Sequence, residues 1–178
     1  PPVAVQQLEA ILRQRHAGAR VLVAEDNPIN QEVAASLLTL AGLQVDVVDD
    51  GAAALAQVQA SDYRLVLMDM QMPIMDGLKA TRAIRQLPLG RHLPIVAMTA
   101  NAFGEDRAAC LEAGMNDHIA KPVNTQVLYA TLLRWLDASS SETGPAAATP
   151  PASANGAATQ PETSLRLAAV AGLDLKTG

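Results

Sequence analysis

Apolar residues in this chain fall into short, nearly unbroken runs, separated by longer stretches in which they recur every three or four positions. The runs are Val21-Leu22-Val23-Ala24, then Val45-Asp46-Val47-Val48, Leu65-Val66-Leu67-Met68, Ile95-Val96-Ala97-Met98, and the brief Ile119-Ala120. Runs this short, followed by turn residues, suit strands buried on both faces. They predict strands at 20–24, 44–48, 64–68, 94–98 and 117–120. The intervening stretches predict helices at about 29–40, 51–60, 77–86, 103–112 and 125–136. Pro28 fits the first turn of the first of these, with Asn27 as its cap. Gly42 and Gly114 stand where helices should stop.

Five strands alternating with five helices imply right-handed crossovers, a parallel sheet and helices on both of its faces. The expected fold class is therefore α/β, a doubly wound five-stranded parallel sheet in the flavodoxin-like order 2-1-3-4-5. Residues 19–137 form this body. Ahead of it, Val5, Leu8, Ile11 and Leu12 are spaced as on a helix and Gly18 ends the pattern, so 1–18 reads as an N-terminal helix or linker with a solvated His16. After it, Ser, Thr, Ala, Pro and Gly dominate 138–163, the composition of a flexible linker. Residues 164–178 turn amphipathic again and read as the incomplete start of a following domain.

Composition narrows the function classes. Apolar residues are 49% of the 178 but aromatics only 2%, so the core must be built from Ala, Val, Leu, Ile and Met. The net charge of −5, with no basic run interleaved with aromatics, argues against a nucleic-acid surface. A single cysteine, Cys110, excludes an intrachain disulfide and packs more simply as a small apolar residue than as a nucleophile. No apolar segment reaches membrane-spanning length, so no membrane contact is expected of this piece and it reads as cytoplasmic. Pro1 in place of an initiator Met suggests a fragment of a longer chain.

The candidate chemistry sits just past the strands. The first strand is followed by Glu25 and Asp26, the third by Asp69, the fourth by Thr99 and the fifth by Lys121. In a parallel sheet these ends share one edge, where ligands of such folds bind. Singly, each residue reads as a strand-end polar or a helix cap. Together they bring three carboxylates, a hydroxyl and an ammonium to one place. Close carboxylates raise one another's pKa unless a cation intervenes, and a small set of hard oxygen ligands favours Mg²⁺. Carboxylate-held Mg²⁺ beside a Lys suits phosphoryl transfer, with Asp69 as the nucleophile.

Ala24-Glu25-Asp26-Asn27-Pro28, Met68-Asp69-Met70-Gln71-Met72-Pro73, Thr99-Ala100-Asn101-Ala102 and Lys121-Pro122 resemble the response-regulator receiver domain, in the form found inside hybrid sensor histidine kinases. The resemblance implies that Asp69 accepts phosphate from a phosphohistidine. It implies Mg²⁺ held by Asp26, Asp69 and the Gln71 backbone carbonyl, with Glu25 acting through water. Thr99 and Lys121 would bind the phosphoryl oxygens. Gln71 and Asn101 would set the phosphate lifetime, and the Lys121–Pro122 peptide would be cis. His118 stands where the family often has an aromatic switch residue. The implied partners are a histidine kinase or a histidine-phosphotransfer domain, and 164–178 resembles the opening of such a domain. The parent would be a hybrid kinase, which can be anchored in the inner membrane. The fragment itself would catalyse only its own phosphorylation and dephosphorylation.

Three other readings compete. An aspartate-nucleophile phosphohydrolase needs a second Asp two residues after the first, and that position is Gln71. A receiver-like docking module that is never phosphorylated would not need the complete set of Asp26, Asp69, Thr99 and Lys121. A stand-alone response regulator that binds DNA would carry a basic helix after the linker, and none follows.

Overall fold

The computed structural model describes residues 3–102 and 104–142. In chain order the elements are α1 (Val5–His16), β1 (Arg20–Ala24), α2 (Pro28–Leu40), β2 (Gln44–Val48), α3 (Gly51–Ala60), β3 (Leu65–Asp69), α4 (Gly77–Arg85), β4 (Ile95–Thr99), α5 (Glu105–Ala113), β5 (Asp117–Ala120) and α6 (Thr125–Glu142). The five strands form one sheet in the order β2-β1-β3-β4-β5, and every pairing is parallel. The predicted order is the observed one.

Strand alternation divides the core in two. Val21, Val23, Leu65, Leu67, Val96 and Met98 point to one face and pack with Leu38 of α2 and Leu128, Leu132 and Leu136 of α6. Leu22, Ala24, Val66, Met68, Ile95 and Ala97 point to the other and pack with Ala54 and Val58 of α3, Ala80 and Ile84 of α4 and Cys110 of α5. Both faces being covered, β3 and β4 are buried along their whole length. Their near-continuous apolar sequence follows from that burial. Cys110 is buried among these apolar residues, as its sequence context predicts.

Arg85 fixes the lower end of the sheet. Its guanidinium donates to the carbonyls of Leu93 (2.7 Å) and Gly114 (2.7 Å) and to Asn116 Oδ1 (2.8 Å), which also accepts from the Ile95 N–H (2.9 Å). One side chain at the end of α4 thereby anchors the starts of β4 and β5.

Two expectations need correction. His16 is not solvated: it is 6% exposed, and its Nε2 lies 2.7 Å from Asp137 Oδ1 on α6. Leu8 and Leu12 of α1 enter the core beside Leu132 and Leu136, so the N-terminal segment is a packed helix of the same body. The last helix does not stop at Leu136 but continues to Glu142, over the first residues of the expected linker. Arg64 supports the added turn, with its Nη2 donating to Ser140 Oγ (2.7 Å) and the Leu136 carbonyl (3.3 Å). The rest of that linker and the expected domain start at 164–178 lie outside the described residues.

At the β1–β2 edge, Asp46 accepts from Arg20 Nη2 and from the Tyr63 hydroxyl, both at 2.6 Å, and the Arg20 guanidinium lies 4.9 Å from the centre of the Tyr63 ring. Burial first, then the hydrogen bond to Asp46, push the Tyr63 phenol up from 10 to about 12. The folded state therefore holds this proton more tightly than the unfolded chain. The resulting stabilisation is complete below pH 10 and is lost as pH rises from 10 to about 12. Chemical denaturation across that range is expected to show a steeper loss of stability in the parent protein than in Tyr63→Phe.

Candidate functional site

Each predicted site residue is placed by the end of an element. β1 delivers Glu25 and Asp26, and the Asn27 side chain then caps α2 by accepting from the N–H groups of Ile29 (2.9 Å) and Asn30 (3.3 Å). β3 ends on Asp69, β4 on Thr99, and Lys121 follows β5. The Lys121 N–H donates to the Thr99 carbonyl at 2.8 Å, which holds the last two strand ends together. The Lys121–Pro122 peptide is cis.

Chain approach beneath the site is close. A Cβ on Gly77, the first residue of α4, would collide with the Asp69 carbonyl oxygen and crowd the Met68 side chain. Only glycine lets the start of α4 lie against the end of β3. In the loop between them, Ile74 adopts a φ of 67° although it is β-branched and 84% exposed. That conformation is strained for such a residue, and strain of this kind concentrates at ligand-binding loops.

The strand ends line an open cleft of about 970 Å³, in which Glu25, Asp26, Asp69, Gln71, Thr99, Asn101 and Lys121 all take part. Lys121 Nζ lies 2.8 Å from Glu25 Oε2 and 3.0 Å from Asp69 Oδ2. Glu25, Asp26 and Asp69 each offer a carboxylate oxygen within 4.8 Å of the others. Glu25 is 1% exposed and Asp69 5%, whereas Asp26 is open to solvent. The Gln71 N–H donates to Asp69 Oδ1 at 3.2 Å and the Asn27 N–H to Glu25 Oε1 at 3.1 Å.

These surroundings act in opposite senses on the two buried acids. Burial is the largest influence on Glu25 and raises its pKa, but Lys121, the Asn27 N–H and Asn30 together outweigh it and hold the carboxyl below its usual range. Asp69 is pushed up: burial dominates, the nearby Glu25 charge adds to it, and Lys121 with the Gln71 N–H offset only part. Burial alone would lower the Lys121 ammonium, but hydrogen bonds and charge from both carboxylates raise it. Glu25 Oε2 is sealed from solvent, and its partner is the Lys121 ammonium at 2.8 Å. Three hard carboxylate oxygens within 4.8 Å of one another, against a single ammonium, fit a small divalent cation.

A sequence model of the response regulator receiver domain matches residues 21–133. The chain belongs to the response-regulator receiver family. It is 43% identical over 129 residues to the sensor histidine kinase GacS of Pseudomonas protegens, a match spanning 71% of this chain and 14% of that protein. The chain thus covers only a small part of the curated relatives it matches. Among solved structures it resembles the receiver domain of sensor histidine kinase PA1611 from Pseudomonas aeruginosa, with a magnesium ion coordinated in the active-site cleft. That match has 45% identity, a TM-score of 0.65, and covers 68% of this chain and 99% of that one. It also resembles a chain of the Saccharomyces cerevisiae co-crystal of the phosphotransfer protein Ypd1 with the receiver domain of Ssk1. Here identity is 29% and the TM-score 0.63, covering 67% of this chain and 89% of that one.

Two features of this receiver depart from a reading of strand ends alone. His118 is on β5 and partly exposed, 3.9 Å from Asp117 Oδ1, and is not among the residues lining the cleft. Asp106, in the first turn of α5, does line it, and its Oδ2 lies 3.2 Å from Thr99 Oγ1. In sequence, Glu105-Asp106 reads only as an acidic helix start. The available signal was its distance of seven residues from Thr99, about the length of one loop and one turn. Because Gly77 has no room for a side chain, Gly77→Ala is expected to lower stability by about 2–3 kcal/mol, typical of overpacking. Urea denaturation with an unchanged m-value checks this.

Proposed function

We propose that this receiver is the phosphoacceptor of a two-component phosphorelay within a hybrid sensor histidine kinase. The observation that carries the reading is the Lys121 ammonium bridging Glu25 and Asp69 inside a three-carboxylate cleft. Asp26, Asp69 and the Gln71 carbonyl would hold Mg²⁺ directly, and Glu25 would act through a water. The bound ion supplies neutralisation of the phosphoryl oxygens.

An Asp69 carboxylate oxygen attacks phosphorus and forms an acyl–phosphate bond. The bond from phosphorus to the donor imidazole nitrogen breaks, and that nitrogen keeps the electron pair and takes a proton from solvent. The Lys121 ammonium, already beside Asp69, donates to one phosphoryl oxygen, and the Thr99 hydroxyl donates to another. The movement of Thr99 favours a second packing of α5, β5 and α6. Gln71 and Asn101 flank the route by which water reaches the phosphoryl group and so govern its lifetime. His118 on β5 would respond to the same movement.

The donor or acceptor is a phosphohistidine on a histidine kinase or a phosphotransfer domain. The Ypd1–Ssk1 receiver complex supports that class of partner. Among the described residues no helix is long and apolar enough to cross a membrane. Incubation with Mg²⁺ and acetyl phosphate, followed by intact mass, should show one added phosphoryl group. Removing Mg²⁺ with EDTA or introducing Asp69→Asn should abolish it. Retention of the adduct in Asp69→Asn would overturn the assignment.

A further inference from the structure

We propose that Asp106 is a positioning residue that holds the Thr99 hydroxyl away from Asp69 and competes with the phosphoryl group for its proton. The inference rests on the receiver reading above and adds a determinant of how readily that site is occupied.

Thr99 is 2% exposed, and its hydroxyl has partners in Asn101 of the following loop and Asp106 of α5. Oγ1 accepts from the Asn101 N–H at 3.0 Å. Its single proton can go to the Asn101 carbonyl at 3.0 Å or to Asp106 Oδ2 at 3.2 Å. A carboxylate is the stronger acceptor of the two types. Donation to a phosphoryl oxygen needs that same proton, so phosphoryl binding must break the loop's own hydrogen bond.

An acid in the first turn of a helix ordinarily does no more than complement the helix dipole. Asp106 differs in direction. Gly104, at a φ of 69°, makes the turn into α5, and the Asp106 carboxylate then lines the cleft and meets Thr99. Its charge also stands at the rim of a pocket that must admit a dianion. Both effects favour the empty site. Lys121, by contrast, already lies 3.0 Å from Asp69. Thr99 is therefore the phosphoryl ligand that must be released, and Asp106 sets part of the cost of releasing it.

The test is beryllofluoride affinity in the presence of Mg²⁺, read by Trp135 fluorescence, with acetyl-phosphate labelling followed by intact mass as a second readout. Asp106→Ala should bind about fivefold tighter and label faster, the size of one net hydrogen bond. Asp106→Asn, which keeps the shape and removes the charge, should move the same way. The gain should shrink in a Thr99→Ala background, where only the charge effect remains, and persist in full in Thr99→Ser, which keeps the hydroxyl. Simple loss of a helix-start acid would weaken binding instead, so the sign separates positioning from stability. Unchanged or weaker binding in both Asp106 variants, or an equal gain without the Thr99 hydroxyl, overturns the proposal. If the parent protein binds no beryllofluoride and takes no phosphoryl group, the receiver reading fails and this inference with it.

Discussion

Two carboxylates and one ammonium share a buried corner at the carboxyl edge of the sheet, and neither acid is tolerable there without the ammonium. Glu25 and Asp69 are almost wholly removed from water, and Lys121 lies within 3.0 Å of each. Removing one partner from such a cluster leaves an uncompensated buried charge, which commonly costs about 3–5 kcal/mol. Even complete, the cluster is unbalanced. Glu25, Asp26 and Asp69 carry three formal negative charges against one on Lys121, leaving two. A divalent cation restores neutrality, and arrival of a phosphoryl group disturbs it again. On the proposed reading, the site is thereby poised to respond to phosphate as an electrostatic event.

That corner exists because of the sheet. Parallel strands covered on both faces have no freedom to slip, since a shift by one residue would exchange the Val21/Val23 face for the Leu22/Ala24 face in a core filled on both sides. Register therefore fixes where the strands end. β3 pairs Asp69 with Met98, and β4 pairs Thr99 with Ala120, so the reactive residues stand in a row one step apart. Gly77 then lets α4 close beneath Asp69, and Arg85 at the far end of that helix anchors the opposite edge of the same strands.

Much of this was legible in the residues. The five strands fall within a residue of their predicted bounds, because short apolar runs followed by acids leave few other structures open. The placement of Glu25, Asp26, Asp69, Thr99 and Lys121 in one cleft followed from topology, which turns five distant residues into one edge. What remained hidden depends on contacts between elements that no local pattern encodes. His16 looks like a polar helix terminus until α6 brings Asp137 to it. The Ser-rich end of α6 reads as linker because the support from Arg64 comes from across the fold. Asp106 looks like a helix-start acid until the chain folds back on Thr99.

On the proposed reading, the two groups that would bind the phosphoryl oxygens begin from different states, and this bears on where such a switch stores its free energy. Lys121 needs no displacement, because the carboxylates already hold its ammonium beside the acceptor. Thr99 is satisfied elsewhere, by Asn101 just after β4 and by Asp106 in the first turn of α5. On that reading, phosphoryl binding would exchange one set of hydrogen bonds for another at Thr99. Changing a population from 1:99 to 99:1 requires about 5.5 kcal/mol of differential stabilisation. Attraction of the dianion for Lys121 anchors the ligand in either conformation and so contributes little to that difference. The difference must come mainly from interactions available in one conformation only, and the Thr99 hydroxyl is the group at this site that satisfies that condition. On that reading, Thr99 at the end of β4 and Asp106 at the start of α5 are where occupancy of Asp69 would become a change of shape.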